Sequence, residues 1–171
     1  MIDRLKNGDV FLLHWINDSI RCKVLDIIMP IVTYLGSVTF TALFCLVTLL
    51  STDKNIKQLG ILTSLSILTS SFIAHFIKRF INRIRPYINF PQLNIKKIGV
   101  DDYSFPSGHT TAAFSIGISI ALCFTSLAIV SGILALSVGL SRVYLGVHYP
   151  SDVIAGMFLG SFSSYCMFLV I

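Results

Sequence analysis

Residues 103–141 read YSFPSGHTTAAFSIGISIALCFTSLAIVSGILALSVGLS, a run of 39 positions without Lys, Arg, Asp or Glu. A membrane-spanning helix needs about 20 mostly apolar residues, so this run is long enough for two short antiparallel spans. Working outward, further uncharged runs cover 27–52, 58–77 (with His75 inside) and 153–171. At 54% hydrophobic and 12% charged residues, with a mean hydropathy of +0.82, the chain is too apolar for an ordinary soluble domain of 171 residues. The pattern predicts an all-α fold, a polytopic membrane helix bundle of about five transmembrane helices at about 25–50, 59–82, 108–124, 127–146 and 152–171.

The first residues differ from the rest. Asp3, Arg4, Lys6, Asp9 and Asp18 interrupt Val10, Leu13, Trp15, Ile16 and Ile20, which excludes a signal peptide or a span there. Val10, Leu13, Asn17 and Ile20 recur at helical spacing beside Trp15, so residues 1–23 form either a helix in the membrane interface or a partly ordered tail. The four cysteines (Cys22, Cys45, Cys123, Cys166) include no CxxC pair, and the last three lie in apolar runs where a thiol packs as a small hydrophobe. Neither a metal site nor a disulfide framework is read from them. The formal charge of +5 is not concentrated on a soluble surface, so anionic lipid head groups, and not nucleic acid, are its natural partners.

No repeat or compositional break divides the chain, and 1–171 reads as one integral-membrane domain. Alternating spans gather the N-terminal segment, the loop 83–107 and the turn 147–151 on one face. Eleven of the thirteen Lys and Arg lie at that face, and only Lys54 and Lys57 at the other. The loop 83–107 is too polar for lipid and is expected to fold over the mouth of the bundle. The GMFLG at 156–160 has a GxxxG spacing, which suits close helix packing.

Three polar clusters share the basic face. In KRFINRIRP, Lys78 and Arg85 are seven residues apart, so on one helix they would point the same way, on a stripe with His75 and Asn82. Pro86 favours a helix end there. In FPSGHTT, Ser107 is a good N-cap, Gly108 opens the helix, and His109 lies in a first turn whose backbone amides can seat a phosphate. In SRVYLGVHYPSD, Arg142 precedes His148 by six residues and Asp152 follows it by four. An aspartate accepting from one imidazole nitrogen leaves the other as nucleophile or base. Each cluster has a plainer reading: a basic helix end snorkelling to lipid, a capped helix with an interfacial histidine, and a buried Arg–Asp pair. Together, three cations, two histidines, one aspartate and a helix N-terminus make the parts of a phosphoryl-transfer site. No acidic pair in the spans stands ready for magnesium, so the expected chemistry is metal-independent and needs no cofactor.

These blocks, Lys78…Arg85-Pro86, Pro106-Ser107-Gly108-His109 and Ser141-Arg142…His148…Asp152, resemble the K-x6-RP, PSGH and SR-x5-H-x3-D pattern of the type 2 phosphatidic acid phosphatase superfamily, which includes vanadium haloperoxidases. All eleven specified positions match, in order and spacing. The resemblance implies that His148 attacks phosphorus to form a phosphohistidine, that Asp152 orients it, and that His109 is the general acid for the leaving group. It also implies that Lys78, Arg85, Ser107, Gly108 and Arg142 hold the phosphoryl oxygens.

A membrane-embedded site favours a membrane lipid phosphate as substrate, and the resemblance to small bacterial members of the family implies undecaprenyl diphosphate most readily, with phosphatidylglycerophosphate or phosphatidic acid as alternatives. The resemblance suggests a small bacterial enzyme in the cell (plasma) membrane. A non-catalytic lipid-binding scaffold is the rival of another class, but phosphate binding alone needs no nucleophile. Counting basic residues, eleven against two, or eight against two without Lys78, Arg85 and Arg142, places the catalytic face in the cytoplasm. The resemblance points to the extracytoplasmic face, and that is the expectation adopted.

Overall fold

The structure, a computed structural model, describes residues 2–95 and 103–171. The middle of the loop 83–107, including Lys96 and Lys97, lies outside the described residues. The described helices are α1 (Ile2–His14), α2 (Lys23–Tyr34), α3 (Val38–Leu49), α4 (Lys54–Ile81), α5 (Pro86–Asn89), α6 (Gly108–Cys123), α7 (Ala128–Tyr144) and α8 (Pro150–Val170). The chain is an all-α membrane helix bundle. α4, α8 and the segment Thr125–Tyr144 that contains α7 are each long and apolar enough to cross a membrane.

Two of the five expected spans are irregular. The first is a pair, α2 and α3, bent by 50° across Leu35, Gly36 and Ser37, where the hydropathy predicted one helix over about 25–50. The break falls where the backbone passes against the start of α6. A Cβ at Gly36 would lie 2.5 Å from the His109 carbonyl oxygen, so only glycine lets the backbone pass there, and Ser37 then caps α3 by accepting from the Phe40 amide at 3.2 Å. On either side of the bend the partners change: α2 lies on α7, and α3 on α4.

The other irregular span is α6, only 16 residues long. It lies at the centre of the bundle with α4, α7 and α8 packed around it. A helix walled by protein need not match the bilayer thickness, because its flanks meet neighbouring helices and not lipid. Its buried face is full of small polar residues: Ser115 shares a hydrogen bond of 3.1 Å with Ser70 of α4, and its carbonyl accepts from Ser164 of α8 at 3.0 Å. In hydrocarbon such groups need internal partners, and these pairs supply them for Ser115.

The GxxxG of α8 faces α6. A Cβ at Gly156 would lie 2.8 Å from the Ser107 carbonyl oxygen, and one at Gly160 would collide with the Thr111 carbonyl oxygen. These two glycines therefore set how closely the two helices approach. α1 covers the polar end of the bundle: Leu13 is fully buried in a cluster with Leu93, Val143, Tyr149 and Val153. Asn17, in the π-turn after α1, donates to the carbonyls of Tyr144 and Asn94 at 2.8 and 3.0 Å. Phe11, Leu12 and Trp15 are left exposed on the outer side of this segment.

Candidate active site

Four helix ends converge beneath α1. α4 stops at Ile81, because Asn82 adopts a left-handed conformation (φ 48°), which asparagine tolerates better than most residues. The helix thus ends before Arg85, so the expected helical stripe through 75, 78, 82 and 85 is not formed, and His75 is exposed. Arg85 instead reaches inward from the turn that precedes Pro86, the first residue of α5. It is 4% exposed, donates to the Val147 carbonyl at 3.2 Å, and lies 3.3 Å from His148 Nε2.

α6 begins at Gly108 with Ser107 as N-cap. The Ser107 hydroxyl receives the Thr110 amide at 3.4 Å and shares a hydrogen bond of 2.8 Å with the Thr110 hydroxyl. It is turned into the helix cap, and its burial is complete. α8 begins at Pro150, whose fixed φ suits a first helical position, and Asp152 accepts from the Tyr149 amide at 2.9 Å. The Ser107 amide donates to the Asp152 carbonyl at 3.0 Å, which ties the second sequence block to the third. Arg142, in the last turn of α7, is 1% exposed and donates to the Thr33 hydroxyl of α2 at 2.9 Å.

One cavity of about 420 Å³ is lined by Lys78, Arg85, Gly108, His109, Arg142 and His148. The other two site residues expected from the sequence, Ser107 and Asp152, lie behind its wall. The cavity also runs along α4 from Lys78 to Ser71 and Ile67, opposite Thr41 of α3. Eleven helical residues correspond to about 16 Å of depth. A polar mouth therefore continues into the membrane-spanning layer.

His148 is buried, and Asp152 Oδ2 lies 3.5 Å from its Nδ1, just beyond hydrogen-bond range. Burial, followed by the charges of Arg142, Arg85 and Lys78, holds the imidazole well below its ordinary pKa, opposed by the Ser104 backbone. The ring is thus neutral near pH 7, with Nε2 turned toward Arg85. Neutral imidazole nitrogen next to a cluster of fixed cations can attack an anion that those cations hold.

Sequence reasoning passed over three residues. Arg83 donates through one arm to Asp152 Oδ1 at 2.7 Å and to the Ser151 hydroxyl at 2.6 Å, and through the other to Asp9 Oδ2 at 2.6 Å. Its guanidinium also lies over the Tyr149 ring, 3.9 Å from the centroid. Asp9 accepts in addition from the Ser151 amide at 2.9 Å and from the Ser151 hydroxyl. Thr33 is the third. A helix-end arginine, an acid in an amphipathic helix and a threonine in an apolar run carry no local signal; only their long-range partners distinguish them.

A family model described as the PAP2 superfamily matches residues 59–171. The bacitracin transport permease protein BcrC of Bacillus licheniformis is 31% identical over 164 residues, covering 95% of this chain and 79% of that protein. An undecaprenyl-diphosphatase of Sulfolobus acidocaldarius is 32% identical over 113 residues, covering 66% of this chain and 55% of that one. The crystal structure of the transmembrane PAP2-type phosphatidylglycerolphosphate phosphatase from Bacillus subtilis superposes with a TM-score of 0.79 at 25% identity, covering 98% of this chain and 86% of that one.

Proposed function

The chain belongs to the PAP2 superfamily and is a multi-pass membrane lipid phosphatase, and from that premise we propose that it hydrolyses a polyprenyl diphosphate of the undecaprenyl type through a phosphohistidine on His148. The observation that carries this reading is the cavity itself: a cationic mouth with a histidine in its wall, continuing along α4 to Ile67. A lipid phosphate fits both parts, with its head group among Lys78, Arg85 and Arg142 and its first tail carbons between α3 and α4.

In the first step, the His148 Nε2 lone pair forms the N–P bond while the P–O bond to the leaving group breaks. His109 supplies the proton that the departing oxygen takes up. The new imidazolium bears its charge on the side of Asp152, and the three cations stabilise the charge on the equatorial oxygens. In the second step, His109 takes a proton from water, the water oxygen attacks phosphorus, and the N–P bond breaks to release inorganic phosphate. Gly108 presents its amide to the phosphoryl oxygens. We assign Ser107 to holding that turn in place, since its hydroxyl caps α6. With this many fixed positive groups at the phosphate, the reaction proceeds without a metal ion.

The whole of 1–171 works as one unit, with α1 lying in the interface of the cell membrane and the site on the extracytoplasmic side. Phosphatidylglycerophosphate is the alternative head group, favoured by the likeness to the Bacillus subtilis structure. The deciding experiment offers the purified chain undecaprenyl diphosphate, phosphatidylglycerophosphate and phosphatidic acid, with and without EDTA, beside His148→Ala. Phosphate release fastest on the diphosphate, unaffected by chelation and absent in the variant, is expected. Loss of activity in EDTA refutes the metal-free reaction, and an active variant refutes the nucleophile. Sidedness is read from Gln92→Cys in a Cys22→Ser background: an impermeant thiol reagent labels intact cells, and labelling only after lysis overturns the orientation.

A further inference from the structure

We propose that Asp9 of α1 is a positioning residue for catalysis, acting through Arg83 on Asp152; this rests on the reading that His148 is the nucleophile. The arrangement is a chain of fixed contacts. Arg83 forks between two carboxylates, 2.7 Å from Asp152 Oδ1 and 2.6 Å from Asp9 Oδ2. Asp9 and Asp152 are 8% and 0% exposed, so water screens these charges weakly. Asp9 also accepts from the amide and hydroxyl of Ser151, in the opening turn of α8, where a carboxylate complements the helix dipole. An acid 142 residues away in sequence thus holds the start of the helix that carries Asp152. Fully buried Leu13, packed with Tyr149 and Val153, fixes α1 in that place.

The electrostatic consequence follows from counting charges. One cation between two carboxylates leaves a net charge of −1 beside His148. When His148 attacks phosphorus its ring becomes an imidazolium, and Asp152 must accept from Nδ1 by closing the 3.5 Å separation to hydrogen-bond range. With Asp9 present, Arg83 is shared, and Asp152 keeps the negative charge that this step uses. Without the Asp9 charge, Arg83 pairs with Asp152 alone, the group becomes neutral, and the imidazolium loses its counter-ion. Neither Asp9 nor Arg83 lines the phosphate cavity, so substrate binding is not affected.

The test measures kcat and KM on undecaprenyl diphosphate, or on phosphatidylglycerophosphate if that is the better substrate, for wild type, Asp9→Asn, Asp9→Glu and Arg83→Lys, with thermal unfolding of each. Asp9→Asn should lower kcat about 10- to 100-fold with KM within about twofold, as expected for a charge felt in the transition state and not in substrate binding. Asp9→Glu should restore most of the loss. Arg83→Lys keeps the net charge but not the two-armed fork, so its kcat should fall less than that of Asp9→Asn, at unchanged KM. If Asp9→Asn does not fold, Asp9→Ser takes its place. A kcat within threefold of wild type in the uncharged variant, a change confined to KM, or a loss that Asp9→Glu fails to restore overturns the proposal. An inactive wild type, or an active His148→Ala, instead defeats the reading on which it rests.

Discussion

Gly156→Ala adds one methyl group where α8 crosses α6. The new Cβ would lie 2.8 Å from the Ser107 carbonyl oxygen and 3.2 Å from the Thr111 amide nitrogen, both backbone atoms that cannot rotate away. Ordinary contact begins at 3.4 Å, so the helices must part by about 3.4 − 2.8 = 0.6 Å at this point. Asp152 lies one turn from Gly156 on one helix, and His109 two residues from Ser107 on the other, so the displacement falls on the site. Overpacking of this kind costs about 1–3 kcal/mol, and a misplacement of 1 Å at reacting groups can cost about 100-fold in rate. The expected result is a kcat lower by roughly tenfold and a lower unfolding temperature. Gly132→Ala is the control, because a Cβ there meets nothing within 4 Å. It makes the same chemical change in a helix interior and should be neutral, or stabilising by about 0.5–1 kcal/mol. Phosphate release and thermal unfolding of both variants check this, and equal kcat for the two would refute the argument from packing.

Three further outcomes are expected. Thr33→Val removes the acceptor of one Arg142 donor without changing shape; it should raise KM several-fold and cost about 1–3 kcal/mol, measured by kinetics and unfolding. Ser107→Ala removes the α6 cap and should destabilise by about 0.5–2 kcal/mol, with a kcat loss that follows the disturbed helix start. His148 has a native pKa well below its unfolded value of 6.5, so below that pH the unfolded chain binds a proton that the native state refuses. This contribution to stability is fully present above pH 6.5 and falls as the pH drops beneath it, by up to about 1.4 kcal/mol per pH unit. His148→Asn should lose that share of the slope in unfolding measured from pH 7.5 to about 5.

Much of the architecture was legible because hydropathy is a local property. The run 103–141 does form two antiparallel helices, and Pro150 does open the last one. The bend at Gly36 was hidden because an apolar run reads the same whether straight or broken; its cause is the His109 carbonyl, 73 residues away. Arg85 shows the opposite case. Its pairing with Lys78 was inferred from helical periodicity, yet α4 ends at Ile81, and the two residues meet at the cavity from a helix and a turn.

What the sequence alone determined is the membrane bundle and the identity of the groups at its basic face, since both depend on residue types at short spacing. Tertiary structure decided which of those groups touch the cavity and which stand behind it. It buried Ser107 behind the cavity wall, seated Arg142 on Thr33, and joined Asp152 to Asp9 through Arg83. The physical reason is that buried charges and hydrogen-bonding groups take whatever partner the packed helices bring within about 3 Å, and sequence spacing does not encode that.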